Sequence, residues 1–126
     1  MPKTIAKLRN KKYVKQGGRC FYCNQPMWSG SSKRFQMTYS ISESHARWFQ
    51  CTAEHLLAAS EGGPLSPDNI VAACKFCNWT RHKSKRPLSP AVYKRQVLRR
   101  LELGKWNRLL FSATTLGNTE SRRCKK

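Results

Sequence analysis

The chain has 126 residues, of which 25 are Lys or Arg and six are Asp or Glu, for a formal net charge of +19. This length suits one domain with a modest core, and 39% hydrophobic residues with four tryptophans argue against wholesale disorder. No apolar stretch reaches the roughly 20 residues that span a bilayer, and no signal-peptide hydrophobic region follows the start. We therefore expect a cytoplasmic protein with no membrane contact.

The positive charge is concentrated at the two ends of the chain. Residues 1–19 carry seven basic and no acidic residues, residues 20–77 carry four of each, and residues 78–126 carry fourteen basic and two acidic residues. A neutral centre between cationic ends suits a polyanion that crosses the molecule, because each neutralised phosphate releases counterions. We expect nucleic acid as the partner; a ribosome-associated or merely soluble basic protein would carry a similar charge.

The first two thirds of the sequence predict a short helix or arm and three strands. Residues 3–15 form the helix or arm, which the Gly17-Gly18 pair ends. Loose alternation of apolar residues predicts a strand over residues 35–42, and further strands are expected within residues 48–57 and 70–73. An organelle transit peptide is the alternative for the acid-poor start, but Arg and Ser are sparse there.

Two helices are expected in the last third. One begins at about Cys77 and stops before Pro87, since a residue that precedes proline disfavours the α region. Ser89 and Pro90 supply an N-cap and a first-turn proline for the second, which ends at Gly104. The polar, basic tail that follows is expected to be mobile.

Four of the six cysteines form two Cys-x-x-Cys pairs. Zinc takes four soft ligands at tetrahedral corners, and each such turn supplies two of them. Two disulfides or a redox dithiol are the alternatives for a cytosolic chain. Cys51 and Cys124 remain outside the pairs. The predicted ligands of a structural zinc ion are Cys20, Cys23, Cys74 and Cys77.

A second set of polar residues surrounds Glu54 and His55. Histidine takes up a proton near neutral pH, and a glutamate oxygen binds a hard cation. Asn78 and His82 are four residues apart and share a face of the predicted helix, whose start Cys77 would fix through the zinc site. The histidine of a lone Glu-His pair more commonly has a structural role, but the nearby Asn78 and His82 favour a catalytic site here.

The run from Glu54 to Asn78 resembles the signature of the HNH endonucleases, the ββα-metal nucleases. An acid-His pair, Gly62-Gly63, Asn69 and a Cys-x-x-Cys-Asn follow one another in the family's order. The likeness is closest to members whose ββα unit is stapled by two Cys-x-x-Cys pairs, and it covers about residues 19–86. It implies a small α+β fold of the ββα-metal type, with a structural zinc site of four cysteines and, here, flanking basic helices.

The resemblance also implies roles for single residues. His55 matches the general base, and Glu54 matches an acidic metal ligand that is more often Asp in the family. Asn69 matches the central asparagine, which orients the base and holds the loop. Asn78 matches a second metal ligand, a position where many members have His. His82 lies one turn further and could be a ligand, a phosphate contact or a surface residue.

The expected reaction is hydrolysis of DNA phosphodiester bonds, with RNA not excluded. His55 would activate water, and one divalent ion would stabilise charge on the phosphorane and the leaving oxygen. Oxygen ligands suit Mg²⁺ or Mn²⁺, whereas ligation by His82 would make Ni²⁺ or Zn²⁺ plausible. The family resemblance implies 5′-phosphate and 3′-hydroxyl products.

Basic residues near the predicted helices are candidates for nucleic-acid contacts, with a solvated face as the alternative. The tryptophans Trp79 and Trp106 could stack on bases, although a core position is commoner. The candidate phosphate-binding residues are Arg81, Lys83, Lys85, Arg86, Arg95 and Arg99.

We expect a basic N-terminal arm or helix (1–18), a zinc-stapled nuclease domain (19–86), a basic helix (87–111) and a flexible tail (112–126). Homodimerisation or membership of a larger nucleic-acid-processing assembly would supply a second cut, although no clear heptad supports association. A non-catalytic zinc-ribbon module that binds nucleic acid is the main alternative. An adaptor that docks on ribosomes or another protein is the second.

Overall fold

The structure, a computed structural model, describes residues 3–109. Within that range it is a small α+β protein with five α-helices and a two-stranded antiparallel sheet. Two short 3₁₀ turns lie at Arg47–Phe49 and Ala59–Glu61. The regular elements in chain order are α1 (Lys3–Lys15), α2 (Lys33–Tyr39), α3 (Glu43–Ala46), β1 (Cys51–His55), β2 (Ile70–Cys74), α4 (Lys75–His82) and α5 (Pro90–Glu102).

The sheet and α4 form a continuous β–β–α unit. Strands β1 and β2 pair from Cys51 opposite Cys74 to His55 opposite Ile70. All five residues of β2 are buried, as expected for a short apolar strand covered on both faces. Helix α4 begins directly after β2, and the Cys74 side chain caps it by accepting the Cys77 N–H. The predicted strands within 48–57 and 70–73 are confirmed, and this helix starts two residues earlier than expected.

Helix α1 packs against the sheet and is tied to β2 by polar side chains. The Gln16 amide accepts the Ala72 N–H at 3.0 Å and donates to the Ala72 carbonyl at 2.9 Å, in the manner of a neighbouring strand. The Lys12 ammonium donates to the Ile70 carbonyl at 2.8 Å. The exposed edge of β2 is therefore satisfied by the side chains of Lys12, on α1, and Gln16, directly after α1, rather than by a third strand. The Phe21 N–H also donates to the Ala72 carbonyl, at 3.0 Å.

The main core is built around the four paired cysteines. Tyr22, Ala72, Tyr93 and Val97 are buried beside them, so the first knuckle, β2 and α5 share one core. The Ser89 hydroxyl accepts the Val92 N–H, and Pro90 opens α5, as the sequence predicts. The Tyr93 hydroxyl donates to the Cys77 carbonyl at 2.7 Å and ties α5 to α4.

The strand expected over residues 35–42 is wrong, because Lys33–Tyr39 is helical. Phe35 and Tyr39 are one turn apart, and their rings lie 4.7 Å apart between centroids, whereas Met37 points to solvent with 81% exposure. Apolar residues four positions apart fit both the two-residue period of a strand and the 3.6-residue period of a helix. Here the packing of the two rings selects the helix. The buried side chains of Phe35, Ala46, Phe49 and Leu109 make a second, smaller core.

Residues 3–15 are a helix rather than an extended arm. Among the helices that the structure describes, none is long and apolar enough to cross a membrane. The tail expected at 112–126 and Cys124 lie outside the described residues.

Candidate functional site

The four paired cysteines converge at one buried point. Their sulfur atoms all lie within 4.8 Å of one another, and Cys23 Sγ is 3.9 Å from Cys74 Sγ. Zinc with Zn–S bonds of about 2.3 Å would separate neighbouring tetrahedral sulfurs by roughly 3.8 Å. The set could hold a metal ion and is consistent with structural zinc.

Backbone amides support negative charge on these sulfurs. Tyr22 N and Cys74 N donate to Cys20 Sγ at 3.4 and 3.3 Å, and Cys77 N donates to Cys74 Sγ at 3.4 Å. Burial opposes ionisation of Cys20, but hydrogen bonds from the other three cysteines outweigh it and hold the pKa of Cys20 well below normal. Hydrogen bonding within the cluster, first to Cys20, raises the pKa of Cys74.

A cleft beside the β–β–α unit brings together four of the predicted site residues. Its volume is about 240 Å³, and it is bounded by the end of β1, the 3₁₀ turn after it and one face of α4. Asn78 and His82 share that face of α4, as their spacing predicts. The predicted site residues that line the cleft are Glu54, His55, Asn78 and His82.

The Glu54 carboxylate is almost fully buried, with 1% of the residue exposed. Its Oε2 accepts from the Tyr22 hydroxyl at 2.7 Å and from Arg81 Nη1 at 2.7 Å. The Arg81 guanidinium also donates to the backbone carbonyls of His55, Leu56 and Leu88 at 3.0–3.1 Å. A buried carboxylate requires this compensation, because desolvation of an unpaired charge costs several kcal/mol, on the order of 3–5.

The second carboxylate oxygen of Glu54 faces His82. His82 Nε2 lies 2.9 Å from Glu54 Oε1, and 30% of the His82 side chain is exposed. Two adjacent octahedral ligands at about 2.0–2.1 Å from one ion would be roughly 2.9 Å apart. The observed separation therefore suits both a direct hydrogen bond and a pair of cis metal ligands.

The orientation of the Asn78 amide is fixed by its two N–H groups. Nδ2 donates to Thr52 Oγ1 and to the Ala53 carbonyl, both at 3.1 Å. Both amide protons are thereby used, so Oδ1 points away from β1. No group within residues 3–109 donates to this oxygen, which leaves a hard ligand atom at the wall of the cleft.

His55 and Asn69 have different positions relative to the cleft. His55 is the last residue of β1 and lines the cleft, and its ring has no hydrogen-bond partner among the described residues. Asn69 is buried outside the cleft lining and accepts from Leu57 N at 2.8 Å. It also donates to the Leu57 and Pro64 carbonyls at 3.0 Å. Asn69 thus holds the loop that follows His55, and its side-chain hydrogen bonds go to Leu57 and Pro64 rather than to the imidazole.

The loop between the strands closes tightly at Gly63. A Cβ atom on Gly63 would lie 1.8 Å from the Leu57 carbonyl oxygen, the same oxygen that accepts from Asn69. Gly62 has φ of +85° and open space around its Cβ direction. The two adjacent glycines are therefore needed for different reasons, the first for backbone conformation and the second for close approach.

Arg81 requires a correction to the predicted set of phosphate-binding residues. Only 5% of Arg81 is exposed and its donors are engaged by Glu54 and by backbone carbonyls, so its side chain is not a surface cation. The other five candidates remain exposed around α4 and α5, namely Lys83, Lys85, Arg86, Arg95 and Arg99.

The two C-terminal tryptophans differ in environment. Trp106 is half-buried and packs against Phe76 with 5.0 Å between ring centroids, in line with a core position. Trp79 is 51% exposed on α4, contrary to the core position expected for it. Its ring packs on Trp48 at 5.6 Å between centroids, which holds it at the surface.

Tyr22 and Arg81 contact Glu54 directly, although the sequence does not indicate this role for either residue. Tyr22 lies between Cys20 and Cys23, where it reads as a spacer of the knuckle, yet its hydroxyl reaches Glu54 across 32 positions of sequence. Arg81 is three residues after Asn78 and thus on a neighbouring stripe of α4. The position of Arg81, about one helical turn after the candidate metal ligand Asn78, is the feature of the sequence that could have indicated an internal partner for Glu54.

Comparison with known protein families gives a match over part of the chain. Residues 40–84 match a family model described as HNH endonuclease. The chain matched no curated protein and no solved structure. The matched segment includes β1, β2 and α4 with all four cleft residues, whereas the first cysteine pair and α5 lie outside it.

Proposed function

We propose that this chain, which matches the HNH endonuclease family over residues 40–84, hydrolyses phosphodiester bonds in DNA. The observation that carries the proposal is the cleft in which Glu54, His55, Asn78 and His82 meet. An unpartnered imidazole, a free amide oxygen and a carboxylate oxygen are the groups that water activation and cation binding require.

His55 is the proposed general base. A neutral imidazole nitrogen at the wall of the cleft would take a proton from a water molecule aligned with the scissile phosphorus. Asn69 contributes as a positioning residue, because it fixes the backbone of Leu57 two residues after His55. Such proton transfer typically contributes about 10²- to 10⁴-fold in rate.

Asn78 Oδ1 and Glu54 Oε1 are the proposed ligands of one divalent cation, with His82 Nε2 as the third candidate. Hard oxygen donors favour Mg²⁺ or Mn²⁺, and participation of His82 would also favour Ni²⁺ or Zn²⁺. When bound, this cation would supply stabilisation of negative charge on the phosphate and the leaving oxygen. A separate zinc ion in the four-cysteine cluster would tie the first knuckle to the end of β2 and the start of α4, and would thereby support the helix that lines the cleft.

The proposal is tested with supercoiled plasmid DNA and a matched RNA substrate at low salt. Wild-type protein is compared with His55→Ala and with His45→Ala, a half-buried histidine that packs on Phe49 away from the cleft. Divalent ions are added or omitted rather than chelated, because a chelator would also remove structural zinc. We expect cleavage with Mg²⁺ or Mn²⁺ by wild type and His45→Ala, and a loss of at least about 100-fold in His55→Ala. If the wild-type protein bound DNA or RNA but cleaved neither with any of these ions, the proposed nuclease function would be wrong.

One observation favours the alternative of a non-catalytic nucleic-acid-binding module. The Glu54 charge is already compensated by Arg81 at 2.7 Å, which reduces its attraction for a second cation. In the module, the Glu54–Arg81 pair would serve only to join β1 to α4. The module predicts DNA affinity that is unchanged by His55→Ala and independent of divalent ions.

A further inference from the structure

A second cavity on α4 adjoins the cleft and has different chemistry. It has a volume of about 370 Å³ and shares Asn78 and His82 with the cleft. Its remaining wall is formed by an exposed aromatic ring, two lysines and a threonine of β1. We call it the Trp79 pocket, lined by Thr52, Lys75, Asn78, Trp79, His82 and Lys83.

The Trp79 ring is held in place at the surface. Its contact with Trp48 has 5.6 Å between centroids and an interplanar angle of 50°, and Trp48 in turn packs edge-on against Phe76 at 5.8 Å. With 51% of Trp79 exposed, this chain of rings presents an apolar aromatic surface beside the cleft. A fixed ring loses little freedom when a flat ligand stacks on it.

The charge around the ring selects the kind of ligand. The lining contains Lys75 and Lys83 but no acidic residue, and Lys83 Nζ lies 4.7 Å from the Trp79 ring centroid. A flat aromatic group with negatively charged neighbours matches an aromatic surface whose lining also contains two lysines. A nucleobase with its flanking phosphates has this combination.

The Lys83 contact does not block such a ligand. A cation over an exposed ring contributes only about two- to fivefold in equilibrium, whereas base–aromatic stacking contributes about five- to 150-fold in affinity. A stacked base would therefore displace Lys83, whose ammonium would then be free to contact the adjacent phosphate.

We propose that the Trp79 pocket binds an unpaired nucleobase of the strand whose phosphate occupies the neighbouring cleft. This inference rests on the proposed function and adds a substrate class to it. A base within duplex DNA has both faces covered by its neighbours, so only an extruded, terminal or single-stranded base presents the face that Trp79 needs. The pocket thus favours single-stranded, gapped or frayed substrates over continuous duplex.

The test measures binding in the His55→Ala background without added divalent ions, by fluorescence anisotropy. The probes are a labelled 12-nucleotide oligothymidylate, an abasic chain with the same number of phosphates, and a duplex of the same length. Trp79→Ala and Trp79→Phe are compared with Met37→Ala, which removes another highly exposed apolar side chain, on α2. We expect Trp79→Ala to lose about tenfold in affinity for oligothymidylate and less than twofold for the abasic chain and the duplex. Trp79→Phe should retain most of the affinity, and Met37→Ala all of it.

An equal loss on base-bearing and abasic chains would overturn the pocket, because the effect would then come from charge or from the fold. No loss in Trp79→Ala would overturn it as well. The two proposals can fail separately. If plasmid cleavage depends on His55 but binding does not depend on the base, only the proposed role of the Trp79 pocket is contradicted. If binding depends on the base but no cleavage occurs, only the proposed nuclease function is contradicted.

Discussion

Arg81 donates to Glu54 at 2.7 Å in an ion pair whose side chains are 5% and 1% exposed. The pair joins β1 to α4 and, with the Tyr22 hydroxyl, occupies Oε2 of the carboxylate. Oε1 is consequently the oxygen directed at His82. One buried interaction thus supports the fold and sets the orientation of a candidate metal ligand.

Removal of the Arg81 guanidinium should strongly destabilise the protein. Arg81→Met leaves the buried Glu54 carboxylate without its cation, and we expect a loss of about 3–5 kcal/mol in the free energy of unfolding. Arg95→Met, at an exposed position of α5, should change it by less than about 0.5 kcal/mol. Urea unfolding with zinc present measures both. Equal stabilities would mean that Glu54 has another compensating partner.

Local spacing signals in the sequence were sufficient to predict much of the fold. The Cys-x-x-Cys turns, the Ser89-Pro90 start of α5 and the apolar run of β2 each depend on neighbours within a few residues. The same holds for Asn78 and His82 on one face of α4. These predictions succeeded because their physical cause is local.

The parts that failed depend on distant partners. Arg81 looked like a surface cation because its acceptors, Glu54 and the carbonyls around Leu56, lie on another element. The spacing of Phe35 and Tyr39 fits both a strand and a helix, and the contact of Phe35 with the distant Phe49 determines which face is buried. Trp79 was expected in the core, and its contact with Trp48 across the surface could not be read from composition.

Gly63→Ala should disrupt the loop that follows His55. The new Cβ would meet the Leu57 carbonyl oxygen at 1.8 Å, and backbone cannot yield as a flexible side chain can. We expect a loss of about 3 kcal/mol in stability together with a large loss of cleavage activity. Gly62→Ala is the matched control, because its Cβ meets open space and only the positive φ costs about 1–2 kcal/mol. A smaller effect at Gly63 than at Gly62 would contradict the close approach.

Loss of a single cysteine of the cluster should release the metal and unfold the domain. Cys74→Ser is the sharpest variant, because serine retains the N-cap acceptor of α4 while removing a soft zinc ligand. We expect one zinc per chain in the wild type, and loss of both zinc and cooperative unfolding in the variant. Burial raises the pKa of Cys51 to about 11, so this thiol is neutral at pH 7. Cys51→Ala should retain zinc; a metal content that follows Cys51 instead would contradict the assignment.

Stability should fall as the pH rises above about 10. Burial, followed by the nearby Glu54 charge, raises the pKa of Tyr22, and burial, followed by Cys77, raises the pKa of Tyr93. The unfolded chain therefore releases these protons first, near its pKa of about 10, and stability is lost at up to roughly 1.4 kcal/mol per pH unit for each tyrosine. Tyr22→Phe and Tyr93→Phe should each reduce this slope in urea unfolding between about pH 9 and 11.5. A slope unchanged in the double variant would contradict the prediction.

His82→Ala should distinguish a metal ligand from a partner of Glu54. If His82 Nε2 and Glu54 Oε1, 2.9 Å apart, are adjacent ligands, then loss of the imidazole removes the donor that softer ions prefer. We expect cleavage with Ni²⁺ to fall by at least about tenfold and cleavage with Mg²⁺ by less than about threefold. Lys83→Ala, the exposed neighbour on the same helix end, should leave the ratio of Ni²⁺ to Mg²⁺ activity unchanged. Equal losses with both ions in His82→Ala would instead mean that His82 acts by holding the Glu54 carboxylate through their hydrogen bond.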